Sequence, residues 1–341
     1  MKNRLKAAFF FCLYYSGLEW LFARAIRVRA VAILMYHGVC DRAPIPPGIN
    51  FHLSSRAFER QMRALKQRYD VTSMSDVVAA LRSGKPLKKG IALTFDDGYR
   101  NNAQYVNPVL KRLGLPFTVF VSTQYIGTGL WMPLNQIYWS WSVGNLGLEE
   151  MRELRKQVRS RPVAEIPQLL NSIEVSLDLA SGKAEESFAM LSWDEIRDMA
   201  RAGVEFGSHT HSHCNMAVED EQQQRKELLL SRELLQQYLG KPPHLFAYPY
   251  GRPENMSEIS YNNVTNSGFE CAVSAEYGLV TEHSDRFCLP RLGYDERIWF
   301  FTGEILYQFT KQALKELWSR LPNRGRASKA SIRNGDKPTY N

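Results

Sequence analysis

The residues with the clearest chemical potential are two adjacent carboxylates, Asp96 and Asp97, which end the apolar run Ile91–Phe95 and are followed at once by Gly98. The run reads as a short buried strand interrupted only by Thr94. Neighbouring carboxylates at the end of such a strand repel when both are ionised, unless a cation or a proton neutralises one of them. Gly98 permits a sharp turn just behind them, and a surface Asp-Gly turn would by itself account for the triplet. A second group far downstream changes the balance. Ser208–His213 reads SHTHSH and overlaps the end of another apolar strand, Val204–Ser208. His209 and His213 are four apart, which brings both to one face if the segment is helical or turns tightly. Two imidazoles and one carboxylate leave open positions on a divalent metal, as a hydrolytic centre with bound water requires. His211 falls off that face and reads as a polar neighbour. His52, His244 and His283 read as ordinary surface or core histidines.

The elements that must position these groups alternate. Ala30–Tyr36, Ile91–Phe95, Phe117–Val121, Val204–Ser208, Leu245–Tyr248 and Phe269–Val273 are short apolar strands, and Leu289–Leu292 ends the sheet. Between them lie helical patterns: Ser55–Gln67 behind Ser54, Met74–Leu81 behind Ser73, Asn101–Leu113, Ser192–Arg201 with Glu195 in a capping box, Glu221–Leu239, Asn255–Ser267 and Glu296–Arg320. Alternation of this kind implies an α/β fold with a parallel sheet, and seven or eight strands suggest a barrel. Chemistry in such a barrel gathers at the C-terminal strand ends. There stand His37, Asp96 and Asp97, the SHTHSH segment, Tyr250 in Pro249-Tyr250-Gly251, and Arg291. Structural needs alone do not produce that coincidence. Cys40–Leu53 reads as a loop, and Ser122–Leu148 as a long loop carrying Tyr125, Trp131, Tyr138, Trp139 and Trp141. Those aromatics suit either a local core or a sugar-stacking wall. Glu149–Ala180 reads as a mostly helical, polar insertion.

The chain has 341 residues, is 44% apolar, and carries a formal charge of +8. Residues 1–30 hold +5 and residues 322–341 hold +4, so the middle is close to neutral at −1. A basic fold face for nucleic acid is thereby excluded; basic ends suit an anionic membrane surface. Ala7–Phe22 is apolar and aromatic, short for a spanning helix, and contains Glu19. It reads as an interfacial amphipathic anchor, with a span or a secretory signal as rivals. Three segments result: residues 1–29 associating with membrane, one domain over 30–320, and a disordered basic tail over 321–341. Five scattered cysteines with no CxxC pair fit a reducing compartment, and the flanking arginines favour the cytoplasmic side of the membrane over the periplasmic or extracellular one.

TFDDGY (Thr94–Tyr99), SHTHSH and YPYG (Tyr248–Gly251), in this order, resemble the leading motifs of the polysaccharide deacetylases, carbohydrate esterase family 4 with its NodB-homology domain. LMYHGV (Leu34–Val39) and LPRL (Leu289–Leu292) resemble the branch of exopolysaccharide poly-N-acetylglucosamine deacetylases. The resemblance covers about residues 30–295. It implies a distorted (β/α) barrel with fewer than eight full units. It also implies a divalent metal, usually zinc, on Asp97, His209 and His213, with Asp96 as general base and His37 as general acid. Tyr250 through its backbone N–H, together with Tyr99, would serve the oxyanion and the substrate. The chain departs from the family pattern twice. The arginine expected before PYG is replaced by Phe246-Ala247-Tyr248, so Arg291 is expected to orient Asp96. A late Leu-x-Leu-His segment is absent, so the acid role rests on His37 alone. The expected activity is removal of N-acetyl groups from an amino sugar in a cell-surface glycan or its lipid-linked precursor. A non-catalytic glycan-binding protein on the same scaffold is the alternative. A two-carboxylate glycosidase is excluded, because adjacent aspartates cannot flank a glycosidic bond at about 5–10 Å.

Overall fold

The computed structural model describes residues 2–41, 52–171 and 186–320. In chain order its main elements are α1 (Lys2–Tyr15), α2 (Leu18–Ala25), β1 (Ala30–Tyr36), β2 (Gly38–Val39), β3 (His52–Leu53), α3 (Ser55–Arg68), β4 (Asp70–Thr72), α4 (Met74–Ser83), β5 (Gly90–Phe95), α5 (Asn107–Leu113) and β6 (Thr118–Val121). Then follow α6 (Pro133–Ser142), α7 (Leu148–Ser160), α8 (Ile166–Asn171), α9 (Trp193–Arg201), β7 (Glu205–Ser208), α10 (Glu221–Leu239), β8 (Leu245–Ala247), α11 (Glu258–Asn266), β9 (Cys271–Tyr277), β10 (Val280–Thr281), β11 (Leu289–Arg291) and α12 (Ile298–Arg320). Helix starts fall where side-chain oxygens meet orphan N–H groups. Ser54, Ser73, Ser192 and Asp220 each accept a hydrogen bond from the residue three positions on.

The sheet runs β10-β1-β5-β6-β7-β8-β9-β11, with β4 also on β5, and every pairing in it is parallel except β10 on β1. Leu292 N–H donates to Ile33 O at 2.8 Å and Met35 N–H donates to Leu292 O at 2.9 Å, which joins the last strand to the first. The result is a nearly closed, distorted (β/α) barrel. Side chains alternate across each strand. Val31, Ile33, Ala92, Phe120, Leu245, Ala247, Cys271, Val273 and Leu289 fill the interior, joined by Met74, Val77 and Val78 of α4. The alternate set, including Ala32, Leu34, Ile91, Leu93, Val119 and Phe206, meets α3, α5, α9 and α12 outside. Continuing the inward register past the interior core gives Thr94 on β5, then Asp96 just past its end, His209 after β7 and Arg291 on β11. The period of two therefore delivers three groups of opposite or complementary charge to one end of the barrel.

Two expectations need correction. Residues 122–148 are not one long loop: Pro133 starts α6, and Leu134, Ile137, Tyr138 and Trp139 form its buried face. Tyr125, Trp131, Tyr138 and Trp139 pack with Met151, Leu154, Val158 and Phe188 as a second core, so these aromatics are no open sugar-stacking wall. The mixed aromatic and polar run hid the helical period. In addition, β9 runs four residues beyond Val273, to Tyr277. The loop expected over Cys40–Leu53 ends instead in strand β3 (His52–Leu53), paired with β2; residues 42–51, the final part of the insertion and the tail expected to be disordered lie outside the described residues.

The N-terminal helices lie against the barrel's last helix. Phe10 is buried against Gly303 of α12, Lys6 Nζ pairs with Glu304 at 2.6 Å, and buried Glu19 pairs with Arg68 at 2.7 Å. No described helix is long and apolar enough to cross a membrane. Leu5, Phe9, Phe11, Trp20, Leu21 and Phe22 stay exposed, as do Leu317 and Trp318 of α12.

Gly207 shows how tightly the interior is filled. A Cβ there would sit 2.5 Å from the Phe120 ring and 2.8 Å from Leu245 O. Gly207→Ala is expected to cost about 1–3 kcal/mol through overpacking, read as a lower denaturant midpoint at unchanged slope; an unchanged midpoint would show that the interior can yield.

Candidate active site

Asp96 and Asp97 are both buried, yet their side chains go to different partners because the backbone reverses between them. Asp97 has φ 77° and Gly98 has φ 88°. A Cβ at Gly98 would come within 2.9 Å of Val121, so the turn has neither the conformation nor the room for another residue. Among the described residues four non-glycine residues have left-handed backbone: Asp97, Thr210, His213 and Tyr250. Three are expected site residues and the fourth stands between the two histidines. The strain is concentrated at the strand ends, where the fold holds it in place.

Arg291 grips Asp96 as a fork. Its Nη1 and Nη2 each donate to one Asp96 carboxylate oxygen at 2.7 Å, while Nε donates to Ser274 O at 2.7 Å and Nη1 also reaches Thr94 Oγ1 at 3.2 Å. Both side chains are almost fully buried. Burial alone would raise the Asp96 pKa, but the guanidinium outweighs it and holds the carboxyl below its ordinary range. The arginine expected for this task does stand beside Asp96.

Asp97 faces the histidines. Its Oδ1 lies 3.5 Å from His209 Nε2 and 3.3 Å from His213 Nε2, without a well-formed hydrogen bond to either. The ligand atoms of these three residues all lie within 4.8 Å of one another. Oxygen and nitrogen atoms about 2.0–2.1 Å from a tetrahedral zinc lie roughly 3.3 Å apart, so the spacing suits such an ion. His209 Nδ1 is tied to Ala247 O at 2.8 Å, which leaves Nε2 directed at Asp97. Burial pushes the His209 imidazole down to about 4, so it is neutral near pH 7. Burial works against ionised Asp97, but the His213, His37 and His209 imidazoles outweigh it and keep its pKa low. A buried acceptor without a donor, beside two imidazole nitrogens, fits a divalent cation.

The histidines converge by a left-handed turn rather than a helix, with φ 62° at Thr210 and 59° at His213. Glu227 of α10 holds that turn: it accepts from His211 N–H at 2.9 Å, Ser212 N–H at 2.7 Å and Ser212 Oγ at 2.8 Å. Glu227 escaped the sequence reading. The available signal was an acid on the same helix face as buried Leu228, Ser231 and Leu235. His211 turns away to Thr123 Oγ1 at 2.9 Å, as expected of a polar neighbour.

The remaining expected residues line the same pocket, a cavity of about 220 Å³ that includes His37, Tyr99 and Tyr250. Tyr99 is buried and its hydroxyl donates to Asn135 Oδ1 at 2.9 Å. The Tyr250 ring lies 4.9 Å from the His213 ring. His52 is a core histidine, set against the Tyr99 ring at 4.8 Å and beside Gly38, and burial lowers its pKa to about 4. His244 bonds Ser75 and His283 is exposed, so neither belongs to the site.

A sequence model of the polysaccharide deacetylase family matches residues 83–270, which include the Asp pair and both histidines. The poly-beta-1,6-N-acetyl-D-glucosamine N-deacetylase of Staphylococcus aureus is 22% identical over 254 residues, covering 71% of this chain and 68% of that protein. Two solved structures share the fold. The Streptococcus pyogenes deacetylase PplD, solved with acetate, superposes with a TM-score of 0.58 at 18% identity, over 83% of this chain and 99% of that one. IcaB from Ammonifex degensii gives a TM-score of 0.56 at 19% identity, over 82% and 97%. With the matched region spanning more than half of its residues and the barrel shared with those two enzymes, this chain belongs to the polysaccharide deacetylase family.

Proposed function

We propose that this protein hydrolyses N-acetyl groups on amino sugars of a cell-surface polysaccharide or its lipid-linked precursor, using a divalent metal held by Asp97, His209 and His213. The observation that carries the proposal is a buried Asp97 facing two imidazoles, beside an Asp96 fixed in one orientation by Arg291. A divalent ion, with zinc the expected one, would supply Lewis acidity to the attacking water and the acetyl carbonyl. Asp96 accepts the water proton at a carboxylate oxygen. Arg291 keeps that carboxylate ionised and aimed. The water oxygen bonds to the carbonyl carbon, the C–N bond breaks, and His37 delivers a proton to the departing nitrogen. Acetate and a free amine result. The Tyr250 N–H would serve the oxyanion, and Tyr99 bounds the substrate pocket.

The exposed apolar side chains of α1, α2 and α12, with Arg24 in the last turn of α2 and Arg27 just beyond it, support attachment to an anionic membrane surface, proposed as the cytoplasmic one. Such a location favours a lipid-linked acceptor.

Elemental analysis tests the metal first. Purified protein is expected to carry about one zinc-like ion, as a three-ligand catalytic site does, and Asp97→Ala to lose it. Asp96→Asn is expected to keep the ion while acetate release falls about 10²–10⁴-fold. No metal in wild type after reconstitution would turn the reading toward a glycan-binding protein. Removing the arginine alone leaves a buried carboxylate uncompensated. Arg291→Ala should therefore lose about 3–5 kcal/mol of stability as well as turnover, seen by denaturation and acetate assay. Full turnover in a stable variant would end its proposed role. Deleting residues 1–28 should abolish sedimentation with anionic vesicles, and continued sedimentation would refute the anchor.

A further inference from the structure

The pocket carries more positive charge than a neutral glycan can use. Arg159 and Arg161, at the end of α7 and just beyond it, line the pocket together with Arg252, which follows β8. Arg155 lies one helical turn before Arg159. None of the four makes an ion pair among the described residues. Arg161 Nη2 donates only to the Gln157 amide oxygen at 3.2 Å, and the buried Nε atoms of Arg155 and Arg159 have no acceptor. The contrast with other arginines is plain: Arg63, Arg100, Arg152, Arg197 and Arg225 each have a carboxylate within ion-pair range. The pocket's own acids are committed elsewhere. Asp96 is held by Arg291 and Asp97 faces the histidines, while Glu219, outside the pocket lining, accepts from Val163 N–H at 2.6 Å.

Like charges one helical turn apart repel, and the Arg159 guanidinium is half-buried as well. Burial, then the charge of Arg155, lowers its pKa below the ordinary arginine value. Arg159 sits 4.8 Å from the centre of the Tyr250 ring, and that ring also touches His213. Tyr250 therefore contacts both Arg159 and the candidate ligand His213, and Arg161 and Arg252 line the same pocket.

We propose that this arginine wall binds a phosphoryl or diphosphoryl group of the substrate, so that the acceptor is an anionic N-acetylated sugar rather than a neutral polymer. The inference rests on the deacetylase reading and deepens it. A lone carboxylate satisfies one guanidinium fork and would leave the other arginines uncompensated; a multiply charged phosphate with several oxygens serves several at once.

The test uses full-length, zinc-loaded protein with three substrates: an uncharged N-acetylglucosamine oligosaccharide, uridine diphospho-N-acetylglucosamine, and a short-chain polyprenyl diphospho-N-acetylglucosamine. At low salt, kcat/KM for at least one diphosphate substrate should exceed that for the oligosaccharide by tenfold or more. The diphosphate substrate preferred identifies the nucleotide or the lipid as its source. The ratio should fall about tenfold for each arginine lost in R159Q and R252Q, recover in part in R159K and R252K, and shrink as salt rises. A ratio near one in wild type, or one that R159Q and R252Q leave unchanged, would overturn the proposal. If no substrate releases acetate, the deacetylase reading fails, and calorimetry with inorganic diphosphate still decides the wall. Binding weakened at least tenfold in R159Q/R252Q supports it, and equal binding overturns it.

Discussion

Everything at the mouth of this barrel follows from the need to bury two adjacent carboxylates without letting them share one environment. Left as strand neighbours with a common partner, Asp96 and Asp97 would repel and one would protonate. The backbone reversal at Asp97 separates them. Asp96 continues the inward register and meets Arg291; Asp97 swings toward His209 and His213. The arrangement is costly at every step, since each buried ion loses several kcal/mol of hydration. It survives because Asp96 has a dedicated guanidinium with good geometry, because Asp97 faces two imidazoles, and because the interior layer beneath, capped by Phe120 against Gly207, leaves little room for relaxation.

The same logic explains the positive backbone angles at Thr210, His213 and Tyr250. A helical turn would also bring positions 209 and 213 to one face, but this segment follows directly on β7. The segment instead takes a left-handed path, and Glu227 accepts the N–H groups that the path leaves without strand partners. A buried acid on a helix thus acts on the site through the loop it holds, and the second core of α6, α7 and α8 supplies the wall that carries Arg159.

Much of this was legible in the sequence, and the boundary has a physical cause. Apolar runs of four to seven residues ending in ionisable groups disclosed the strands and the site, because burial and charge leave local marks. Capping serines disclosed helix starts for the same reason. The expectation that Arg291 would orient Asp96 could be framed by asking what cation might replace a missing one, although their pairing is entirely long-range. What stayed hidden lacked a local mark. The α6 helix is buried almost all round, so its aromatics show no polar stripe. Glu227 looks like any other acid on a polar helix until its partners are known. The arginines of α7 fall within a stretch that reads only as polar and mostly helical, and only the fold shows that Arg159 leans over Tyr250 and makes no ion pair among the described residues.

The bridge that joins the last strand to the first also sets an order of events as the chain is made. Asp97, His209 and His213 all precede Arg291, and the pairing of Leu34 with Leu292 cannot form until almost the whole barrel has been synthesised. Contacts of such sequence separation are slow to form and leave early strands waiting with exposed edges. During that interval Asp96 has no guanidinium, and its burial is unfavourable. The residue that compensates Asp96 and the strand that completes the sheet are thus one and the same segment, so closing the barrel and neutralising its buried carboxylate are a single event.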